Sequence, residues 1–554
     1  MESMNAQSSM AHNARTMQTK RVKWKDINWI IAESYVNRLQ VRIVKAVQKD
    51  KWRLVKRLQK LITNSFYAKA IALKRVITNK GKHTPGIDKV VWETDEDKSK
   101  AIEKLDTSKY HAQPLRRVYI EKYGKKEKRP LGIPTMQDRA MQGLMLLALE
   151  PVAETTADRV SFGFRRNRSA QDAMEYIFKL LARKTSPQWI LEGDIKGCFD
   201  HISHDWLIEH IPMDKSVLKQ FLKAGFIFER ELFPTDEGTP QGGVISPILA
   251  NMALDGMQKV LSDRFHTNRL GKVDLRFKNA HKVNLVRYFI VTAATKEIAV
   301  EAKEIVRDFL QTRGLELSEE KTVITHIDDG FDMLGWTFRK FKGKLIVKPS
   351  KKALKALKSA LSETILGRGK AWKQEVLIEK LNQQIRGWTN YHQSVCASEA
   401  FAHIDYILYE LLWRWAKRRH PHKGQWWVST NYWHRRGNRN WVFCTEDKEL
   451  LRVDHIPIVR HTKVRMDANP YFDTQYFLDR KFQHGMKRLS GRFKLIWKNQ
   501  NGRCYHCGMP MEISDEREIF FKVPKSAGGK DEVNNMAYVH KSCQQIYLEC
   551  CSKE

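Results

Sequence analysis

The sequence predicts an α+β protein of several domains, and three observations support that fold class. Residues 100–350 alternate short β-rich runs, such as RRVYI, WILEGDI and KTVITHI, with helical stretches such as QDRAMQGLMLLALEPVAE. Residues 24–77 and 350–419 repeat apolar side chains every three or four positions, as amphipathic helices do. Residues 501–554 hold Cys and His at the spacing of metal ligands. We expect helical regions around a mixed core, followed by a small metal-bound module.

Charge and cysteine content narrow the class of protein. The 554 residues include 98 Lys plus Arg against 63 Asp plus Glu, a net charge of +35, which predicts a polyanionic partner such as nucleic acid. An anionic membrane surface is the alternative, but the longest apolar run, near Gly143–Ala148, is far shorter than the ~20 residues of a spanning helix. The eight cysteines are few for this length, which indicates a reducing compartment such as the cytoplasm. The first twenty residues signal an organellar transit peptide only weakly.

The N-terminal block, residues 1–80, is helical in pattern and strongly basic. Its stretch KWRLVKRLQKLITNSF places apolar residues on one helix face and cations on the other. The alternative is a solvated helix face without a ligand. We predict that the dense cationic face binds a phosphate backbone through Lys51, Arg53, Lys56, Arg57 and Lys60.

The stretch LVRYFIVTAAT, residues 285–295, is unusual. Apolar residues run almost unbroken from Leu285 to Val291, and no Gly, Asn, Asp or Pro offers a turn, so the segment itself predicts one buried strand. Its surroundings nevertheless predict a hairpin that carries acidic groups. The segment therefore looks shortened.

Several motifs, taken in order, identify the family that the chain resembles. KYGKKEKRPLGIPTMQDRAMQ (122–142), SFGFRRNRSAQDA (161–173), LEGDIKGCFDHISHDWL (191–207), GTPQGGVISPILANMALDGM (238–257) and KLNQQIRGWTNYHQ (380–393) together resemble the reverse transcriptases encoded by group II introns. The resemblance implies a right-hand fold: fingers and palm over 81–349, a helical thumb or maturase domain over 350–420, and a DNA-binding region over 421–500. WKDINW (24–29) resembles the family's N-terminal extension.

Further nucleic-acid contacts are expected along this right hand. In the fingers and palm we expect them at Lys125, Lys126, Arg129, Arg165, Arg166, Gln241 and Gly242. In the thumb and the following region we expect them at Lys351, Lys352, Lys355, Arg386, Arg435, Arg436 and Arg439. The last three belong to WWVSTNYWHRRGNRNW (426–441), where aromatic and cationic side chains alternate as in proteins that stack on unpaired bases.

The polymerase chemistry of such a palm needs two divalent metals held by several carboxylates. The resemblance makes Asp194 one catalytic arm and gives the second arm to a Tyr-Ala-Asp-Asp turn. Here Tyr288 joins Phe289 directly, so both aspartates are missing and Asp194 is expected to be vestigial. We do not expect other acids to replace them, because Asp200 and Asp205 lie too close in sequence to Asp194, whereas Asp274, Glu297 and Asp332 flank other segments. A deletion made by design would explain the gap as well as natural decay.

The C-terminal module, residues 501–554, poses a similar question. CYHCG and HKSC predict a structural zinc site formed by Cys504, Cys507, His540 and Cys543, with Cys550 or Cys551 as alternatives to His540 and buried thiols as the alternative to a metal site. The surrounding sequence resembles the HNH endonucleases of many group II intron proteins, and Asn535 fits their central Asn. The family's catalytic His pair is replaced by Phe520–Phe521, and its closing histidines by Gln544 and Tyr547.

The resemblance therefore implies a maturase that works in a ribonucleoprotein with its group II intron RNA, with reverse transcriptase and endonuclease activities lost. It would assist splicing and support reverse splicing into a DNA target, and Mg²⁺ would serve as the ion of the ribozyme. Two alternatives remain: an active RNA-directed DNA polymerase and a site-specific DNA endonuclease.

Overall fold

The computed structural model describes residues 23–121, 128–266, 281–286, 289–489, 491–511, 517–541 and 543–544. The predicted contacts Lys125 and Lys126 lie outside the described residues, as do Tyr288, Asp274, Tyr547, Cys550 and Cys551.

Four helices precede a long fifth helix, and the first three of them pack on it. The elements up to residue 181 are α1 (Trp29–Val47), α2 (Trp52–Asn64), α3 (Phe66–Thr78), α4 (Asp95–Glu103), β1 (Leu115–Glu121), β2 (Lys128–Ile133), α5 (Met136–Thr156) and α6 (Ala170–Leu181). The apolar faces of α1, α2 and α3 share one hydrophobic core with α5 and with the helices that follow. The basic N-terminal block is thus packed on the body of the protein, with its cationic side chains left outside.

The middle of the chain builds two four-stranded sheets and the helices that cover them. Its elements are β3 (Trp189–Glu192), α7 (His204–His210), α8 (Lys215–Leu222), β4 (Phe226–Phe228), β5 (Glu231–Phe233), α9 (Ser246–Leu254), α10 (Met257–Phe265), β6 (Asn284–Val286), β7 (Ile290–Ala293), α11 (Lys296–Gln311) and β8 (Val323–His326). One sheet has the order β2-β1-β4-β5 and the other the order β6-β7-β3-β8. In the second sheet β3 pairs antiparallel with both β7 and β8.

The stretch predicted as one buried strand is instead a hairpin. β6 pairs antiparallel with β7, with Leu285 opposite Val291 and Val286 opposite Ile290. Only residues 287–289 connect the last pair, so the reversal is very short. The prediction of a single strand was wrong because the sequence carries no turn signal, whereas β3 offers a neighbouring edge on which β7 pairs.

A helical region and a small sheet complete the body. The elements are β9 (Phe331–Met333), β10 (Trp336–Phe341), β11 (Lys344–Pro349), α12 (Lys351–Ser362), α13 (Gln374–His392), α14 (Ser398–Arg419), α15 (Gln425–Tyr432), β12 (Trp433–Arg436), β13 (Arg439–Phe443) and α16 (Thr474–Arg488). Their buried residues form a second core with α6 and with Ile190 of β3. A π-helical turn at Glu363–Arg368 follows α12.

The C-terminal module consists of α17 (Gly491–Asn499), β14 (Arg517–Phe521) and β15 (Met536–His540). It builds a third core, against which Phe482 and Met486 of α16 also pack. Trp497 is fully buried there, together with Ile496 and Met511. None of the helices that the structure describes is long and apolar enough to cross a membrane.

Candidate functional site

Asp194 lies two residues beyond the end of β3, at the edge where the resemblance expects a metal site. Its carboxylate Oδ2 lies 3.0 Å from the Nζ atom of Lys321, and its side chain is 47% exposed. The backbone is fixed as well, because Ser318 N donates to the carbonyl of Asp194 at 2.7 Å. The one carboxylate that the prediction assigned to catalysis is therefore ion-paired with an amine. Lys321 was not among the predicted site residues, and only the antiparallel pairing of β3 with β8 reveals its position.

Phe289 fills the space beside that edge. The N–H of Gly193 donates to the carbonyl of Phe289 at 3.0 Å, which extends the pairing of β3 with β7 by one residue. The Phe289 ring lies so close to Gly193 that a Cβ atom on residue 193 would be 2.1 Å from the ring. Phe289 itself is 7% exposed. An apolar ring thus packs where the hairpin of a two-metal polymerase would present carboxylates.

The other acids considered as substitutes have separate surroundings. Both carboxylate oxygens of Asp200 lie 3.1 Å from Nε2 of Gln241, which donates to them. Asp332 accepts a hydrogen bond from the hydroxyl of Thr337. Glu297 lies in the first turn of α11, where the hydroxyl of Thr295 lowers its pKa. Glu192, in β3, was not among the acids considered from sequence; burial raises its pKa, and it accepts from Thr325 at 3.0 Å.

A cluster suited to a metal does occur in the C-terminal module. Within the part of the chain that the structure describes, Cys504, Cys507, His540 and Cys543 form the only group of three or more Cys, His, Asp or Glu that could hold an ion. Their ligand atoms all lie within 4.8 Å of one another, and the sulfurs of Cys507 and Cys543 are 3.5 and 3.7 Å from Nδ1 of His540. A tetrahedral zinc with typical bond lengths requires a sulfur–nitrogen separation of about 3.6 Å. The four predicted ligands therefore meet at a distance that fits zinc.

At the two positions where the resemblance places the endonuclease's catalytic histidines, β14 carries Phe520 and Phe521. Phe520 stacks on Tyr505 with the ring centroids 5.7 Å apart and meets the His506 ring edge-on at 4.6 Å. Lys525 lies over the ring of Phe521. Asn535 holds the intervening loop, since its side chain accepts from Val523 N at 2.8 Å and donates to Val523 O at 3.0 Å. The scaffold of the module is intact around a position that can neither bind a metal nor transfer a proton.

The cationic face of α2 is on the surface, as its pattern predicts. Lys51, Arg53, Lys56, Arg57 and Lys60 are all exposed, whereas Val55, Leu58, Gln59, Ile62 and Thr63 on the opposite face are buried. Burial and the nearby charge of Lys56 lower the pKa of Lys215 on α8, so this surface extends beyond the helix. A dense set of cations on one rigid helix is suited to a run of phosphates.

The thumb presents a second cationic face. Lys351, Lys352 and Lys355 are exposed on α12, and Leu357 and Leu361 hold the opposite face in the core. Arg386 is exposed on α13, and Arg129 is exposed at the start of β2. The two lysine-rich helices lie on different parts of the body, one in the N-terminal block and one in the thumb.

Several predicted contacts instead have partners within the protein. The guanidinium of Arg165 is buried and bonds the Glu154 carboxylate at 2.8 Å, which is at odds with a role in binding phosphates. Arg436 donates to the carbonyls of Thr445 and Glu446, and Arg439 pairs with Glu449 at 3.0 Å.

Three further predicted contacts lie at the surface. Arg166 is exposed and lies near Tyr471, and Arg435 is exposed on the hairpin of β12 and β13. Gly242 is exposed with φ at +109°, and its loop packs so closely on β2 that a Cβ atom would lie 2.7 Å from the carbonyl of Gly132. Glycine is therefore required at position 242.

The chain matches four family models in the order that its motifs suggest. They are the N-terminal domain of reverse transcriptase (residues 24–105), reverse transcriptase or RNA-dependent DNA polymerase (120–338), the group II intron maturase-specific domain (354–433) and HNH endonuclease (504–547).

Curated relatives agree with these matches. The chain is 33% identical to the group II intron-encoded protein LtrA of Lactococcus lactis over 49% of this chain and 54% of that protein. It is 32% identical to protein YkfC of Escherichia coli over 54% of this chain and 87% of that protein. A putative COX1/OXI3 intron 1 protein of Saccharomyces cerevisiae is 28% identical over 46% of this chain and 36% of the relative. The match thus spans about half the length of LtrA.

Proposed function

Because the chain belongs to the family of group II intron-encoded reverse transcriptases and maturases, we propose that it is a maturase that binds group II intron RNA and promotes its splicing. In this proposal the RNA cuts and joins itself with Mg²⁺, and the protein holds the RNA in the active fold. The same ribonucleoprotein would support reverse splicing of the intron into a DNA target.

The observation that carries this proposal is the maturase-specific domain at 354–433, which includes most of α12 and, from its exposed lysine face, Lys355. A maturase of this kind needs no reacting side chain. A protein that binds the folded RNA more tightly than its misfolded states shifts the population toward the folded form. A difference of ~3 kcal/mol in binding free energy gives a shift of roughly a hundredfold.

Splicing of the cognate intron at low Mg²⁺, with and without the purified protein, tests the proposal. We expect the protein to restore splicing that the RNA alone performs poorly. A heat-denatured sample of the same protein is the control. Splicing that proceeds equally well with and without native protein would contradict the maturase assignment.

We further propose that the polymerase site is inactive. Two-metal catalysis requires carboxylates from two arms, and the sequence lacks both aspartates of the second arm between Tyr288 and Phe289. The ion pair of Asp194 with Lys321 and the packing of Phe289 on Gly193 support this proposal.

Primer extension on an RNA template with Mg²⁺ tests the loss of polymerase activity. We expect no incorporation by the natural chain, and recovery after Ala-Asp-Asp is inserted between Tyr288 and Phe289. The same insertion with Asp194→Asn is the control and should remain inactive. Extension by the uninserted chain, abolished by Asp194→Asn, would show that an unexpected ligand completes the site.

For the C-terminal module we propose a zinc-bound, non-cleaving appendage that contacts DNA or RNA. Zinc would be held by Cys504, Cys507, His540 and Cys543, and the apolar Phe520–Phe521 pair supports the loss of hydrolysis. A nicking assay on an intron-free target, with Mg²⁺ and with Mn²⁺, should show intact DNA.

We propose that the ribonucleoprotein works in a bacterial cytoplasm. The relatives from Lactococcus lactis and Escherichia coli support this, although yeast intron proteins are similar as well. The described cysteines at 198, 396, 444, 504, 507 and 543 are all free of disulfides, which agrees with a reducing compartment.

A further inference from the structure

A groove between the thumb and the following hairpin has features of a ligand site. It is lined by one face of α14, by β12 and β13, and by the segment 450–454, and its volume is about 540 Å³. That volume lies within the range of small-ligand pockets, roughly 300–1,000 Å³, and leaves room for a nucleobase with its sugar. The four-residue floor of Leu408, Leu412, Val442 and Phe443 is buried and apolar.

Aromatic side chains form the walls of this groove. Tyr409 on α14 is 44% exposed, and Trp441 on β13 is 62% exposed. The Tyr409 ring packs against two tryptophans, since its centroid lies 6.1 Å from that of Trp413 and 6.0 Å from that of Trp433. A solvent-facing aromatic ring that packs against other, less exposed rings is a preformed stacking platform. Isolated exposed apolar side chains are ordinary, but two large rings beside one groove indicate a binding site.

The charged groups around the groove are already paired with one another. Arg439 bonds Glu449 at 3.0 Å, and Arg452 bonds both oxygens of Asp454 at 2.5 and 2.6 Å. Asp405 accepts from the backbone N–H groups of Val453 and Asp454 at 3.0 and 2.8 Å. Because these charges are balanced locally, the groove does not favour a free anion or a metal ion. It favours a planar, uncharged ring that presents polar edges, which is what a nucleobase is.

A cation for the adjoining phosphate is on the same hairpin. Arg435 is exposed on β12, where its Nε donates to the carbonyl of Gly437 at 3.3 Å. Single-stranded nucleic acid is commonly bound by this combination of stacking rings and nearby cations, whereas a base within a duplex cannot enter a groove.

We propose that this groove captures an unpaired nucleotide of RNA, with the base stacked between Tyr409 and Trp441. The proposal rests on the RNA-binding function above and adds the class of nucleotide and the two rings that hold it. It assigns Tyr409 and Trp441 to single-stranded RNA, while the lysines of α2 and α12 bind phosphates in any nucleic acid.

The test compares Tyr409→Ala and Trp441→Ala with Tyr406→Ala in the full-length protein. Tyr406 is the matched control because it lies on the same helix, is 58% exposed and does not line the groove. The probes are a short fluorescein-labelled oligouridine, its deoxy counterpart, and an RNA duplex of equal length. Melting temperatures of all variants check that each protein is folded.

We expect each groove variant to bind oligouridine roughly tenfold more weakly, in line with the loss of one stacked base. Tyr406→Ala should bind within about twofold of the natural protein, and all variants should bind the duplex alike. The slope of log affinity against log salt concentration should be the same for the groove variants and the natural protein, because stacking on a base releases no counterions.

The outcomes separate the groove from the function on which it rests. If all variants bind oligouridine equally, or if the groove variants lose as much affinity for the duplex as for oligouridine, the proposal that the groove binds an unpaired nucleotide is wrong. A loss seen only with the deoxy probe would overturn the assignment to RNA, whereas a loss on RNA alone or on both probes supports it. If groove variants lose oligouridine binding but the natural protein fails to promote splicing, the groove stands and the maturase proposal falls.

Discussion

Asp172 is completely buried and joins two parts of the chain that are far apart in sequence. Its carboxylate accepts from Nε2 of His461 at 2.9 Å, from Arg480 at 2.5 Å and from the backbone N–H of Val464 at 2.8 Å. It also accepts from Ser169 N at 2.9 Å as part of the N-terminal cap of α6. Asp172 is therefore one of the groups that fasten the segment 461–480 to the body, together with Glu150, which accepts from the Tyr471 hydroxyl at 2.9 Å. Sequence patterns did not reveal this cluster, because its members lie about three hundred residues apart.

Asp172→Asn should lower the stability of the body by about 3 kcal/mol, because it leaves a mostly buried Arg480 without its counter-charge. Thermal unfolding at pH 7 measures the change. Asp467→Asn, an exposed acid in the same region, is the control and should have little effect. Equal melting temperatures for Asp172→Asn and the natural protein would contradict a structural role for the cluster.

The Asp172 cluster also makes stability sensitive to acid. Burial alone would raise the pKa of Asp172, but the hydrogen bond from His461 and the charge of Arg480 outweigh burial and lower that pKa. A carboxylate whose pKa is lowered by folding contributes fully to the free energy of unfolding at any pH above its pKa in the unfolded chain, here 3.8. That contribution is lost as the pH falls below this value. The difference in melting temperature between the natural protein and Asp172→Asn should therefore shrink below about pH 4.

His392 should also make the stability of the protein depend on pH, in a range above that of Asp172. It is 2% exposed, packs against Trp336, Trp388 and Tyr391, and burial lowers its pKa to about 4. At a pH between 6.5, the pKa of His392 in the unfolded chain, and about 4, its pKa in the folded chain, His392 is protonated in the unfolded chain but not in the folded one. Stability should fall across that window, by up to about 3 kcal/mol.

The substitution His392→Gln separates this effect from the general loss of stability in acid. The variant should lose less stability than the natural protein between pH 6.5 and pH 4, as followed by thermal unfolding at each pH. Parallel losses in both proteins would show that His392 is not responsible.

The buried Arg165 illustrates a limit of sequence reasoning at the scale of single residues. The motif SFGFRRNRS shows two adjacent arginines but does not show which one is buried.

The hairpin of β6 and β7 shows what a local pattern can and cannot predict. The apolar run correctly indicates buried β structure, since every described residue from Ile290 to Ala293 is buried. It does not indicate the reversal, because three connecting residues without Gly or Asn carry no turn signature. The partner strand β3 supplies that information, and it lies almost a hundred residues earlier.

The helix α12 allows a test of phosphate contacts through salt dependence. The triple variant Lys351→Ala, Lys352→Ala and Lys355→Ala should weaken binding of intron RNA. It should also reduce the slope of log affinity against log salt by about 2, since each lost phosphate contact contributes about 0.7–0.9. Fluorescence anisotropy over a salt series measures both quantities.

The control for α12 is the pair Lys98→Ala and Lys100→Ala on α4, where both lysines bond neighbouring acids, Asp95 and Glu96. That double variant should keep the slope of the natural protein. If the two sets of variants behave alike, the effect reflects net charge alone and α12 makes no specific contact.

The described chain contains three hydrophobic cores, and the smallest belongs to the C-terminal module. If Cys504, Cys507, His540 and Cys543 bind zinc as proposed, a chelator or the substitution Cys507→Ser should unfold residues 491–544 and leave the body folded, because the free energy of metal binding then stabilises a small core. Hydrogen exchange of the two regions measures this directly, and elemental analysis should find equimolar zinc. Loss of exchange protection in α5 as well would contradict the independence of the module.

The order of regions along the chain was predictable from sequence, and the matched family models follow the same order. Motifs report order well because each is local. The contacts that join regions are not local, and both the Asp172 cluster and the pairing of Asp194 with Lys321 required the structure.

The small core of the C-terminal module has an evolutionary consequence. A segment whose apolar contacts with the body come mainly from one helix, α16, can accumulate substitutions at positions such as Phe520 and Phe521 at little cost to the rest of the molecule. Such a segment can also be lost from a lineage, or acquired by another, as one piece. Relatives that differ in this tail should therefore still share the same right-hand body.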